Sequence, residues 1–467
     1  VSTHETRPAG AGLLIAAVSV ALAAAVYLAR PTRLAITGDE PHYLILADSI
    51  VRDGTLDLRN GYARNTSTQH IYDGPLTPHV LIVNHRWAPY HGPGLSLVLA
   101  IPFFIGGTVG AKLSLCLIAG ILPLVLYRFF SGRLSRAAAA WLTVGFVVSL
   151  PFCFGASQVF PDLVGGTVAA ALACWLVESE RTRRGAGGWA LFWLAAGLFP
   201  WLNTKYLAAT AALALWGLGV RWSRRHEDVG VARSPAVVTL LVLVGPLSLA
   251  AFHVWGVGTP FGPRGLSEVA SPFSRAAEMF LGLHLDQSQG MFIQHPLLLA
   301  GVAAWPIFAW RRPRLALLWT GLYASLIVPN SMELARWGGG GPVGRFAWSA
   351  AWLWAIPIGF ALAERRLALE RFVKPVVIAS LSYQALLAFR WLPDLRLLYP
   401  RLEESLEARD SLFPPALRPF VPSFYFWDFS SYWTYPPNLV AYACVAALVL
   451  IGALAARGGR TRASVGA

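Results

Sequence analysis

Apolar runs close to bilayer length recur along this chain, and nearly every second one ends in arginines. A helix needs ~20 mostly apolar residues to cross the hydrocarbon core. Runs of this kind cover residues 11–28, 109–130, 137–154, 163–177, 189–202, 207–220, 235–257, 297–310, 315–328, 346–362, 373–389 and 439–455. They predict an all-α, polytopic transmembrane helical bundle of about 12 spans with both termini on one face. The first run exceeds the ~7–15-residue core of a signal peptide, so it is expected to stay as a span. Only 13% of the 467 residues are charged and 56% are hydrophobic. Soluble chains carry about a quarter charged residues, so a soluble globular protein is excluded. No polar stretch reaches the ~100 residues of a separate soluble domain, and residues 1–467 are expected to form a single membrane domain.

The net charge of +14 raises the possibility of nucleic-acid binding. The basic residues form no tract, however. They stand in small clusters at the ends of apolar runs, as in Arg181, Arg183 and Arg184 or Arg311, Arg312 and Arg314. That is the distribution of the positive-inside rule, and it argues against a nucleic-acid partner. Under the twelve-span topology the face with the termini carries 21 Lys and Arg against 7 Asp and Glu, and the opposite face carries 17 of each. The arginine-rich face is therefore expected to be cytoplasmic. The loops 31–92, 258–294, 331–345 and 390–434 are expected to lie outside. The four cysteines, Cys116, Cys153, Cys174 and Cys444, lie in apolar runs and match no zinc or redox spacing.

The chemistry-bearing residues converge on the outer side. Asp39 and Glu40 follow the first run, and Asp162 stands beside another span end. Ionisable groups at membrane depth are costly and usually functional. Paired acids can bind a metal, or one can act as base while the other orients a neighbour. The matching cations are Lys205, Arg336 and Arg345, the last two flanking Gly338–Gly341. Glycines let backbone amides approach an anion closely, and arginines pair with its oxygens. His42, His70, His79, His85, His91, His253, His284 and His295 fall near the same face, but none shows a tight zinc-ligand spacing. Loop polarity and hydrogen bonding to carbohydrate account for most of them. Asn65-Thr66-Ser67 matches the N-glycosylation pattern.

Shorter features frame this set. Residues 42–51 read as an amphipathic helix with Leu44, Ile45, Ile50 and Val51 laid against lipid headgroups. Residues 95–105, interrupted by Pro102, are too short to cross and read as an interfacial or re-entrant helix. A surface helix is expected over 395–408. The aromatics from Phe424 to Tyr435 read as an interfacial belt, with stacking on sugars as the alternative.

Taken together, Gly38-Asp39-Glu40-Pro41-His42-Tyr43 after a first span and a Gly92-Pro93-Gly94 helix resemble the GT-C superfamily of integral-membrane glycosyltransferases. Protein O-mannosyltransferases and lipid A aminoarabinose transferases are members. The resemblance continues through Phe160-Pro161-Asp162, Thr204-Lys205-Tyr206, Gln289-Gly290-Met291-Phe292 and the run from Trp337 to Arg345. It departs from the family pattern at Gly341-Pro342-Val343-Gly344-Arg345, where relatives carry Ser-Phe-Gly-Pro-Arg-like residues. The resemblance implies an inverting transfer from a polyprenyl-phosphate-linked sugar to a glycan, lipid or protein acceptor. Asp39 would be the base, with Glu40 and Asp162 orienting groups around it. Lys205, Arg336 and Arg345 would hold the donor phosphate. His42, Tyr43 and His91 would face the acceptor or sugar. No metal is obligatory, because a lipid monophosphate can leave with basic side chains alone, although a divalent metal remains open. The implied place is the plasma (inner) membrane, with the active site extracytoplasmic and membrane lipids around it. Two alternatives fit the same face: a lipid-linked sugar flippase or transporter, and an oligosaccharide ligase using a lipid pyrophosphate.

Overall fold

The computed structural model describes residues 9–29, 36–223, 235–263, 272–333, 341–364, 366–398, 412–424 and 429–457. The chain opens with α1 (Ala9–Leu28), α2 (Glu40–Asp53) and α3 (Arg59–Thr68), then the strands β1 (Val80–Val83) and β2 (Arg86–Pro89). It continues through α4 (Gly94–Ala119), α5 (Ile121–Ser131), α6 (Arg136–Val147), α7 (Leu150–Gly155), α8 (Pro161–Ser179), α9 (Ala186–Leu198) and α10 (Leu207–Ser223). The second half holds α11 (Pro235–Val257), α12 (Phe273–Leu285), α13 (Met291–Gln294), α14 (Leu298–Arg311), α15 (Pro313–Ser331), α16 (Arg345–Ala351), α17 (Ala355–Glu364), α18 (Arg366–Trp391), α19 (Phe429–Thr434) and α20 (Pro436–Arg457).

Each of the twelve expected spans coincides with a helix or a broken pair of helices. Among the described residues, seven segments are long and apolar enough to cross a bilayer: Gly10–Leu28, Gly94–Ser131, Pro161–Ser179, Ala236–Val257, Arg345–Glu364, Leu369–Trp391 and Pro436–Arg457. Several others are shorter. The 137–154 run breaks at Val148 and Ser149, where the backbone leaves helical angles between α6 and α7. The 189–202 run is a 13-residue helix that tightens into the 3₁₀ turn Phe199–Trp201. At 1.5 Å per residue such a helix covers only about two thirds of the core. Its neighbours supply the remaining packing: a Cβ on Gly245 of α11 would fall 1.8 Å from the Gly197 carbonyl of α9.

Helices at the rim turn bare apolar side chains outward. Leu13 and Leu14 of α1, Leu240 and Leu247 of α11, and Val440 and Leu450 of α20 are all exposed, as suits a surface wetted by lipid tails. The interior is one large apolar cluster in which Trp193, Trp216, Trp348 and Trp352 are fully buried. A second, smaller cluster lies under α2 and α3.

That second cluster corrects the reading of residues 42–51. Leu44 and Ile45 are 0% exposed and pack with Leu95, Leu99 and Phe103 of α4 rather than with lipid headgroups. The outward apolar face belongs to α4 itself, through Ile101, Phe104 and Ile105. The interfacial helix expected at 95–105 is the first part of α4. Pro102 stays within the helix, and the break falls at Gly106 and Gly107, the latter with φ 56°.

Four other readings change. The first loop holds a two-stranded hairpin, a small departure from all-α, closed by Asn84 and His85 at φ 49° and 61°. Asn65 is no exposed glycan acceptor: its Oδ1 accepts from the Ile71 and Tyr72 amides and it is 2% exposed. The expected surface helix over 395–408 begins as the buried 3₁₀ turn Leu395–Leu398, whose Leu398 carbonyl accepts from the Val343 amide. The rest of it lies outside the described residues. Phe424, expected in an aromatic belt, is fully buried against Tyr432 and Tyr442, whereas Tyr425, Phe426 and Trp427 lie outside the described residues.

Contacts among loops define one face of the bundle. Glu40 reaches the Val159 amide, and Arg345 reaches Asp39. Gly92 and Gly94 press on the Trp201–Leu202 backbone, where a Cβ on Gly94 would meet Trp201 at 2.5 Å. Gln287 donates to the Pro422 carbonyl. At the opposite face, the arginine-rich helix ends tie to one another: Arg133 pairs with Glu178, and Arg314 donates to Ser223 Oγ and the Gly219 carbonyl.

Candidate active site

Gly38 takes a left-handed turn at φ 55°, which lets the chain enter α2 with Asp39 as its first cap. Pro41 in the first turn has no N–H to leave unsatisfied. The Asp39 carboxylate makes no capping hydrogen bond, so it is free to face the loops. Its Oδ2 lies 3.4 Å from Arg345 Nη2. Its Oδ1 lies 3.6 Å from His79 Nδ1 and 3.9 Å from His91 Nε2. Burial opposes ionisation of Asp39, but His91, Arg345, His79 and His42 outweigh it and hold the carboxyl below its usual range.

The hairpin explains why two histidines meet there. His79 precedes β1 and His91 follows β2, and the pairing of Val80 with Pro89 carries both to the open end. The Tyr90 amide donates to the His79 carbonyl. His42 stacks on His79 with ring centroids 3.8 Å apart, and Tyr43 stacks on His91 at 4.9 Å. The Tyr62 hydroxyl accepts from the His79 amide and bonds His42 Nδ1 at 2.6 Å. Burial, followed by His79 and His91, pushes His42 down to about 3, with Asp39 pulling the other way.

Glu40 turns inward. Its Oε1 accepts from Lys112 Nζ at 2.5 Å and from the Val159 amide at 2.7 Å, and its Oε2 accepts from the Thr37 amide at 2.8 Å. Both Glu40 and Lys112 are 0% exposed. The two neighbouring acids therefore point into different surroundings, one toward the loops and one into the protein.

A second group meets the first through aromatic rings. Pro161 opens α8 and places Asp162 in its first turn, where Oδ1 accepts from Lys205 Nζ at 2.5 Å. Lys205 is held in the turn Thr204–Tyr206, whose entry is fixed by Asn203 Oδ1 accepting from the Lys205 amide. Lys205 Nζ stands 4.9 Å from the centre of the Phe346 ring, and the Arg345 guanidinium stands 5.2 Å from the same ring and 4.1 Å from that of Phe160. Cations over ring faces are attracted by the ring quadrupole. The structure thus brings Asp39, Arg345, Lys205 and Asp162 into one contiguous constellation, with His42, Tyr43 and His91 beside Asp39. Arg336 and Gly338–Gly340 lie outside the described residues.

A lattice of amides seats Arg345. Gly344 takes φ 73° just before α16, and its amide donates to Gln289 Oε1 at 2.6 Å. Gln294 Nε2 donates to the Val343 and Ser288 carbonyls, and Gln384 Nε2 donates to the Gln294 carbonyl. Asp286 gathers the amides of Ser288, Gln289 and Phe424. Sequence reasoning did not single out Gln294, Lys112 or Phe346 as site residues. Phe346 directly follows Arg345, and Lys112 is a lone charge within an apolar run; each was a signal in the chain.

Helices of membrane length carry this constellation, with short helices and a hairpin inserted after the first and loops closing over an acid at its exit. Among solved structures, the chain is similar to that of ArnT from Cupriavidus metallidurans bound to undecaprenyl phosphate. The match has a TM-score of 0.54 and 14% sequence identity, and covers 95% of this chain and 74% of that one. No family model and no curated protein sequence matches the chain.

Proposed function

We propose that this chain is an inverting glycosyltransferase that moves a sugar from a polyprenyl-phosphate donor to a cell-envelope glycan, lipid or protein acceptor. The observation that carries the reading is the juxtaposition of a partly exposed carboxylate, Asp39, with two cations that share one ring, Arg345 and Lys205 over Phe346. A base and an anion clamp on adjoining sides of one site suit displacement of a phosphate by a hydroxyl. The lipid in the ArnT structure, undecaprenyl phosphate, is of the carrier class that such a donor would leave behind.

Asp39 takes the proton of the acceptor hydroxyl as that oxygen attacks the anomeric carbon. The bond to the phosphate oxygen breaks on the opposite side, so configuration inverts. Lys205 and Arg345, with Arg336, receive the departing lipid phosphate. Asp162 orients Lys205, while Glu40 fixes the start of α2 through Lys112 and Val159 and so acts on Asp39 by position. His42, Tyr43 and His91 line the acceptor side. The placement favoured by the arginine distribution is the plasma (inner) membrane with this site extracytoplasmic. Basic side chains suffice for a monophosphate leaving group, so no metal is required.

The test is Asp39→Asn in proteoliposomes supplied with polyprenyl-phosphate sugars and envelope extracts. Removing a general base is expected to cost about 10²–10⁴-fold in transfer. Undiminished transfer would remove Asp39 from the mechanism. Movement of labelled lipid across the bilayer with no covalent product would replace the transferase reading by that of a flippase.

A further inference from the structure

His79 has no task in the transfer chemistry above, yet it is one of the best-placed side chains around Asp39. His79 Nδ1 and His91 Nε2 are 3.3 Å apart. With Asp39 Oδ1 at 3.6 and 3.9 Å from them, the three atoms form a nearly regular triangle. Ligands bound at about 2.0–2.2 Å in tetrahedral geometry stand about 3.3–3.5 Å from one another. The triangle is thus one face of such a tetrahedron, slightly opened.

The surroundings suit the same use. Asp39 contacts Arg345 through its other oxygen, Oδ2, while Oδ1 faces the two histidines. His79 is held in plane by the stacked His42, which in turn is fixed by Tyr62. Supporting contacts of this kind set ligand orientation in metal sites. Two imidazole nitrogens and one carboxylate oxygen select zinc-class ions over magnesium or calcium, which take oxygen ligands. The His79 side chain is 41% exposed and that of Asp39 24%, so an ion reaches the site from the loop face.

We propose that Asp39 Oδ1, His79 Nδ1 and His91 Nε2 form a binding site for a zinc-class divalent cation, its fourth position open to solvent. Resting on the transferase reading, the site is inhibitory. The ion neutralises the carboxylate that serves as base and takes up its electron density, so a loaded site withdraws Asp39 from the reaction until the ion leaves.

The experiment uses the full chain purified in detergent, stripped with EDTA and titrated with Zn²⁺ against a chromophoric chelator. One equivalent is expected to bind, with affinity at least about 100-fold weaker in His79→Ala and in His91→Ala and unchanged in His70→Ala. Zinc-edge X-ray absorption of the loaded wild type is expected to show two imidazole ligands, which keeps the test open if a variant fails to fold. Absence of a bound equivalent, binding that survives both triad substitutions, or displacement by equimolar Mg²⁺ would each overturn the site. Transfer assayed with and without Zn²⁺ separates the two readings. Zinc that binds through the triad but leaves transfer intact refutes the base role of Asp39 and the inhibition, not the site.

Discussion

Lys112→Met tests whether Glu40 is a frame residue. Lys112 Nζ and Glu40 Oε1 are 2.5 Å apart and both side chains are 0% exposed. At an effective dielectric of about 20, two unit charges at that distance attract by about 7 kcal/mol. Desolvation of both ions consumes much of that, but removal of one partner leaves the other buried and uncompensated. Such cuts cost about 3–5 kcal/mol. The Glu40 carboxylate would retain the amides of Thr37 and Val159, which places the expected loss toward the lower end of that range. The assay is unfolding in mixed micelles of rising SDS fraction, followed by tryptophan fluorescence. Adding Glu40→Gln to Lys112→Met neutralises the stranded charge and is expected to return about half of the loss. A cost below about 1 kcal/mol for Lys112→Met, or a double variant less stable than the single one, would refute the reasoning, because a buried carboxylate stripped of its cation cannot be that cheap.

Two further outcomes follow from the same contacts. Lys205→Met strands the Asp162 carboxylate, which is 1% exposed. Stability in the same assay is expected to fall by about 3 kcal/mol and polyprenyl-phosphate binding to weaken; Asp162→Asn in that background is expected to restore stability but not binding. Gly344→Ala forces a Cβ onto a residue at φ 73° and within 2.3 Å of Gln294 Nε2. Strain of about 1–3 kcal/mol in the segment that carries Arg345 is expected to slow transfer by about 5- to 150-fold, read as kcat against donor concentration; an unchanged rate would detach the glutamine lattice from Arg345.

The bundle was legible because its two controlling facts are written along the chain. Apolar length sets where helices run, and arginine clusters set which ends share a face. Membrane length was harder to read: a helix such as α9, packed against α11 through Gly197 and Gly245, is apolar without being long. Burial of Leu44 and Ile45 was hidden for a related reason, since an amphipathic stripe does not say whether protein or lipid covers it. Asp39, Asp162, Lys205 and Arg345 stood out as charges beside span ends, and the fold gathers them. Lys112 did not, because a single cation within an apolar run becomes informative only when its partner 72 residues away is known. The pairing of His79 with His91 was equally hidden. It depends on a hairpin whose turn, Asn84-His85, lacks the glycine that marks such turns in sequence.

Glu40 has one further consequence through its bond to the Val159 amide. Val159 stands three residues before Asp162, so the Asp39-Glu40 pair and Asp162 are tied together across 119 positions of chain. Asp39 and the Asp162–Lys205 pair are thereby held in one frame. Arg345 joins them from α16, which packs directly on α8: a Cβ on Gly166 would meet the Trp348 carbonyl at 2.5 Å. Rebuilding the 341–345 segment or the hairpin for a new sugar therefore changes the charges that face the Asp39 carboxylate while leaving the frame that ties α2 to α8 in place.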